Sequence, residues 1–122
     1  MSGLSARCEA RLSTCCRDLQ RVVRRVHRER MALLVLCGHR GEAEQNDAFA
    51  RKASKLPWPK SRHNSLPAEA VDLAPDPLDW NDTARFRELA RHVIEIAAEE
   101  GAHLVWGGSW AMQDLVHFEL GK

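Results

Sequence analysis

The order of apolar patterns along this 122-residue chain predicts an α+β fold. Helical periodicities and short apolar runs mix along the sequence, and they do so without the regular strand–helix–strand alternation of a parallel sheet. The expected architecture is therefore a small antiparallel sheet flanked by helices. The length suits one domain with a modest core, spanning residues 1–122, with 1–16 as a loosely ordered N-terminal segment.

Each element has its own signal. Leu19, Val22, Val23 and Val26 recur at helical spacing and predict a helix from about Arg17 to Arg28. Arg21, Arg24, Arg25 and Arg28 occupy its other face, either as a solvated basic surface or as an attraction for an anionic polymer such as a wall glycan. Met31 to Cys37 is a short apolar run expected as a buried strand, ending at Gly38-His39-Arg40-Gly41. A short helix over Glu42–Arg51 should turn Ala48 and Phe49 toward the core. All five prolines then fall between Pro57 and Pro77, in a long loop of the kind that is functional or disordered. Ala70 to Ala74 reads as a strand. Asn81, Asp82 or Thr83 can cap the next helix and Gly101 can end it, with Phe86, Leu89, Ala90, Val93 and Ala97 as its apolar stripe. His103–Trp106 and His117–Leu120 are the remaining strands, with Gly107-Gly108 as a turn.

Composition excludes several classes. A formal net charge of +1 argues against a general nucleic-acid binder. No apolar run approaches membrane-spanning length, and the polar stretch from Met1 to Arg11 has no apolar signal core, so cytoplasmic synthesis without a signal peptide is expected. Cys8, Cys15, Cys16 and Cys37 form no Cys-x-x-Cys pair and are expected as reduced thiols. His-Glu-x-x-His is absent, which excludes the helical zincin arrangement.

Three residues stand out as candidate metal ligands: His63 in Ser61-Arg62-His63-Asn64-Ser65, Asp72 in Ala70-Val71-Asp72-Leu73, and His117 in Asp114-Leu115-Val116-His117-Phe118-Glu119. Two neutral imidazoles and a carboxylate suit Zn²⁺ and leave a fourth position for water. Asp72 interrupts an apolar strand pattern. A buried carboxylate there needs either a metal or a partner such as Arg62 or Arg40. His117 opens a strand, where a lone histidine also fits a satisfied core or surface position. Asp114, three residues earlier, is placed to take a proton from a metal-activated water and return it to a leaving amine. Glu119 is the next carboxylate for that task. Arg40 follows a buried strand and reads as a clamp for a substrate carboxylate, as a stabiliser of an oxyanion, or as a surface arginine. Among the other histidines, His39 is the substitute ligand. His103 is weaker, and His27 and His92 lie in charged helix segments and are expected to be solvated.

Gly38-His39-Arg40 with Gln45, Ser61-Arg62-His63, Ala70-Val71-Asp72, Trp106-Gly107-Gly108 and Asp114-x-x-His117-Phe118-Glu119, taken in order, resemble the D-Ala metallopeptidase family. The likeness is strongest to its phage L-alanyl-D-glutamate endolysin branch, with a His-Asn-Ser-x-Pro first motif, and runs from about Leu19 to Leu120. It implies the small α+β fold shared with the hedgehog signalling domain. It also implies Zn²⁺ on His63, Asp72 and His117, Asp114 as general base and acid, Arg40 beside the substrate or oxyanion, and Ser61 and Gln45 lining or bracing the site. The implied partner is the stem peptide of bacterial peptidoglycan, met by a monomer after release to the wall or within a phage-like particle, with no nucleic acid and no membrane. D-Ala-D-Ala carboxypeptidase activity and an inactive zinc-bearing binding domain are the alternatives. Three departures touch the cleft rim: nine residues from His63 to Asp72 where much of the family has seven, Ser109 where Asp is common after Trp-Gly-Gly, and Val116 after a short Trp110–Asp114 stretch where Pro often precedes the last His.

Overall fold

A computed structural model describes residues 3–121. Four helices, α1 (Ala6–Leu12), α2 (Arg17–Glu29), α3 (Glu42–Ala50) and α4 (Thr83–Glu99), accompany four strands, β1 (Leu33–Cys37), β2 (Ala70–Pro75), β3 (Leu104–Trp106) and β4 (His117–Leu120). The strands form one sheet in the order β1-β2-β4-β3, with every pairing antiparallel. The α+β expectation is met.

One face of the sheet is the core. Val71 and Leu73 of β2 and Phe118 of β4 are fully buried with Leu19, Val22, Val23 and Val26 of α2 and Leu89, Val93 and Ile96 of α4. The apolar stripes that predicted the two long helices are the faces they bury. Asp82 caps α4 by accepting the Arg85 N–H at 3.3 Å, and Gly101, at φ +73°, ends the turn that follows it. That left-handed backbone is the conformation glycine adopts without a Cβ penalty.

The strand register builds the other face. Asp72 pairs with His117 across β2 and β4, and Cys37 pairs with Asp72 across β1 and β2. Val35 pairs with Leu73, so Leu36 is an extra residue, and the resulting bulge turns Cys37 away from the Val35 face. Cys37, Asp72 and His117 thus share one row on the face opposite the helical core.

Four local expectations are corrected. The segment expected to be loosely ordered carries α1, capped by Ser5, with Cys8 and Leu12 buried. This helix covers the open edge of β1: the Val35 N–H donates to Cys8 Sγ at 3.3 Å, and Arg11 Nη1 donates to the Val35 carbonyl at 3.0 Å. An edge strand with its polar groups satisfied by a helix is not a template for further pairing. Phe49 is exposed; α3 instead buries Gln45 and Ala48, because its inward face carries a polar network. His27 is buried, its Nδ1 accepting the Leu33 N–H at 3.1 Å where the chain reverses from α2 into β1. His92 is half-buried beside Arg30, at 3.1 Å.

The basic face of α2 is neutralised within the molecule. Arg21 and Arg25 pair with Glu100, Arg24 with Glu9, and Arg25 and Arg28 with Glu29. It is a paired surface and offers little free charge to an anionic polymer.

Candidate metal centre and active site

The Pro-rich loop is held in place by hydrogen bonds that begin at Gln45. This fully buried side chain accepts from Arg40 Nη1 at 2.9 Å and from Asn64 Nδ2 at 3.0 Å, and donates to Ser54 Oγ at 2.9 Å and to the Leu56 carbonyl. Asn64 also donates to the Arg40 carbonyl at 3.0 Å. Residues Arg62–Asn64 form a single 3-10 turn, capped by Ser61 Oγ, which accepts the His63 N–H at 3.2 Å. These bonds set His63 above the strand row.

Two imidazoles and one carboxylate oxygen converge there. Asp72 Oδ1 lies 3.2 Å from His63 Nε2 and 3.3 Å from His117 Nδ1. The outer nitrogen of each ring faces an acceptor. His63 Nδ1 is 2.8 Å from the Gly38 carbonyl, and His117 Nε2 is 2.8 Å from Glu119 Oε1. In the neutral ring, an acceptor on the outside places the proton there and leaves the inner nitrogen as a lone pair. With both inner nitrogens unprotonated the three atoms can hold a cation, and with the rings protonated both nitrogens donate to Asp72. The two separations from Asp72 match the edge of roughly 3.3 Å that ligands at about 2.0–2.1 Å from a tetrahedral ion would show. Among the described residues, those whose ligand atoms all lie within 4.8 Å of one another, a cluster able to hold a metal ion, are Cys37, His63 and Asp72, and His117 stands outside that cluster.

This centre opens into a cleft of about 690 Å³, lined by residues 52–56 and 60–62 of the loop and by Trp110, Met112, Gln113 and Asp114. A family model, phage L-alanyl-D-glutamate peptidase, matches residues 1–121. The chain belongs to that family. Its fold is also similar to the crystal structure of the Serratia marcescens L-Ala D-Glu endopeptidase ChiX, with a TM-score of 0.83 and 31% identity, covering 97% of this chain and 89% of that one. The five motifs that carried the resemblance therefore sit in a peptidase framework.

Two of those motifs owe their glycines to close packing. A Cβ on Gly38 would stand 2.3 Å from the Arg11 carbonyl oxygen and 2.4 Å from Thr14 Oγ1. A Cβ on Gly107 would meet the Asp114 carbonyl oxygen at 2.6 Å and His117 Cβ at 3.2 Å. Gly107 also accepts the Asp114 N–H at 3.0 Å, so this glycine lets the loop bring Asp114 beside His117.

The electrostatics follow from the convergence. Burial opposes a charge on His63, yet its hydrogen bonds to Asp72 and Cys37 hold its pKa up at about 10. His117 is also raised: burial opposes its charge, while Asp72 and Glu119 favour it more strongly. Burial pushes the Asp72 carboxyl up, but His117 and His63 reverse this and hold it well below the usual carboxylate range. Asp114 is raised, first by burial and then by the charge of Asp72.

The structure brings His63, Asp72 and His117 together and sets Arg40 and Asp114 on the same cleft. Arg40 Nη2 lies 3.6 Å from Asp72 Oδ2 and its side chain is 17% exposed, so it is no surface arginine. Arg62 turns instead to Glu69, at 2.6 Å, and to Glu119, at 3.7 Å. His39 donates toward the Ser65 carbonyl at 2.9 Å and is not among the cleft residues, which removes it as substitute ligand. Ser109 hydrogen-bonds the Trp106 carbonyl at 2.9 Å, outside the cleft lining, so that departure leaves the rim untouched. Two contributions went unread in the sequence. Glu119, expected as an alternative base, instead stands 2.8 Å from His117 Nε2 and orients that ring. Cys37 joins the row through a bulge that periodicity does not show.

Proposed function

We propose that this protein is a zinc-dependent L-alanyl-D-glutamate endopeptidase of peptidoglycan stem peptides, with His63, Asp72 and His117 as the metal ligands. The observation that carries the reading is the convergence of two imidazole nitrogens on one Asp72 oxygen, at 3.2 and 3.3 Å, within a chain of this peptidase family. Two borderline imidazoles and one hard carboxylate are a donor set that Zn²⁺ accepts.

A bound zinc ion supplies Lewis acidity toward the scissile carbonyl and toward water. The Gly38 carbonyl and Glu119 hold the two imidazoles in the ligating tautomer. Asp114, raised by burial, takes the proton of the attacking water and delivers it to the departing D-Glu amine. Arg40, braced by Gln45, presents its guanidinium to the charge that develops on the carbonyl oxygen. Trp110, with its ring centroid 5.2 Å from that of His117, packs beside the centre and lines the same cleft.

No helix among the described residues is long and apolar enough to cross a membrane. The protein acts on the wall as a monomer, after release or as part of a phage-like particle. The test is mass spectrometry of purified stem peptides after digestion by zinc-loaded protein. Free L-Ala-terminated and D-Glu-initiated fragments are expected. Release of D-Ala from pentapeptide stems with the L-Ala–D-Glu bond intact would assign a carboxypeptidase, and no cleavage at all would assign a binding domain.

A further inference from the structure

Charge on this molecule is distributed unevenly between arginine and lysine. The chain has only four lysines, and three of them, Lys52, Lys55 and Lys60, fall within nine residues. All three line the cleft that contains His63 and Asp72. Where α2 ties its arginines to glutamates, none of these lysines has an ion pair among the described residues. They form a wall of free cations above the reactive centre. Lys52 sits at φ +63°, a left-handed position just after α3, held by the Ala53 and Ser54 N–H groups donating to the Ala48 carbonyl at 2.9 and 3.1 Å. Glycine is the residue that fits such a helix end at least cost. The chain instead carries a long cation there. Trp110 and Met112, both exposed, give the same cleft an apolar wall segment next to Gln113 and Asp114.

A cleft that carries three free cations and an exposed apolar segment orders its occupant. In a stem peptide, D-Glu continues the chain through its γ-carboxyl, so its α-carboxylate stays free beside the scissile amide. We infer that Lys52, Lys55 and Lys60 form the subsite for that free α-carboxylate, so the protein prefers D-glutamate stems over stems amidated to D-isoglutamine. The inference rests on the endopeptidase reading above. The apolar wall then receives the L-Ala side. Flexible ammonium groups suit this role, because they steer and hold a point charge without demanding the planar geometry that an arginine fork imposes.

The experiment compares two synthetic peptides, L-Ala–γ-D-Glu–L-Lys and its D-isoglutamine counterpart, on zinc-loaded protein at low and high ionic strength. At low salt kcat/KM should favour the carboxylate peptide by roughly tenfold, the product of three exposed contacts each worth about a factor of two. The preference should shrink as added salt screens the cleft. In the combined variant Lys52→Gly, Lys55→Gln, Lys60→Gln it should fall toward unity, with zinc content still near one per chain. Equal kcat/KM for the two peptides on the unaltered protein would overturn the inference, whatever the variant does, and so would an undiminished preference in a variant that retains zinc. If neither peptide is cut between L-Ala and D-Glu, the endopeptidase reading itself fails, which is a different result from equal cleavage of both.

Discussion

Replacing Glu119 by Ala removes a carboxylate that touches no reacting atom, which makes it a sharp probe of the metal centre. Glu119 Oε1 accepts from His117 Nε2 at 2.8 Å and thereby keeps Nδ1 turned toward Asp72. Losing such an outer partner costs about 10–100-fold in metal affinity, or roughly 1.4–2.7 kcal/mol. The structure argues for the lower end. The Glu119 side chain is 21% exposed, so water can replace the lost acceptor, and Arg62 keeps Glu69 at 2.6 Å when Glu119 is gone. The expected result is therefore a zinc affinity about tenfold weaker, measured by titration against a competing chelator. The zinc-induced rise in Tm at subsaturating metal should fall by a few degrees. Wild-type zinc affinity in Glu119→Ala, alongside lost affinity in His117→Ala, would refute the orienting role. Unchanged affinity in both variants would remove His117 from the ligand set.

Other consequences are equally direct. Asp114→Asn should keep zinc near one per chain while peptide cleavage falls by about 10²–10⁴-fold, the usual contribution of a general acid–base group; loss of zinc would make Asp114 a ligand. Leu12→Ala should destabilise the fold by about 2–5 kcal/mol in chemical denaturation, because that side chain is fully buried beneath α1; a change near zero would detach α1 from the core. With chelator present, the interactions that raise His63 to about 10 stabilise the fold fully below its unfolded pKa near 6.5, and that contribution is lost as the pH rises toward 10. Zinc binding runs the other way, since it requires neutral imidazoles. The Tm difference between zinc-loaded and chelator-treated protein should therefore grow from pH 6 to pH 9, and a difference that shrinks over that range would contradict the shared use of His63 by proton and metal.

What could be read from the sequence was what repeats along it. The stripes Leu19–Val26 and Phe86–Ala97 are regular enough to name α2 and α4, and Val71, Asp72 and Leu73 show an acid lodged in a strand. Gly38, Gly107 and the histidine motifs were legible as motifs, and the close contacts at both glycines give their physical basis. What escaped depends on chain geometry that leaves no period. The extra residue Leu36 moves Cys37 onto the site face. Helix α1 has only Cys8 and Leu12 as apolar anchors, one turn apart, and its orientation is set by the free edge of β1. Phe49 lay one position from the buried Ala48, and α3 turned a glutamine inward because Arg40, Asn64 and the Pro-rich loop all needed its amide. His27 was read as solvated because its neighbours are charged, yet a single unpaired strand N–H drew it inside.

The most direct test of the metal centre is anomalous diffraction at the zinc edge from crystals of the zinc-loaded protein. One peak is expected, with His63 Nε2, His117 Nδ1 and an Asp72 carboxylate oxygen each at about 2.0–2.2 Å from it. A peak bound to His63, Asp72 and Cys37 with His117 turned away, or no peak within this row of side chains, would contradict the proposed ligand set.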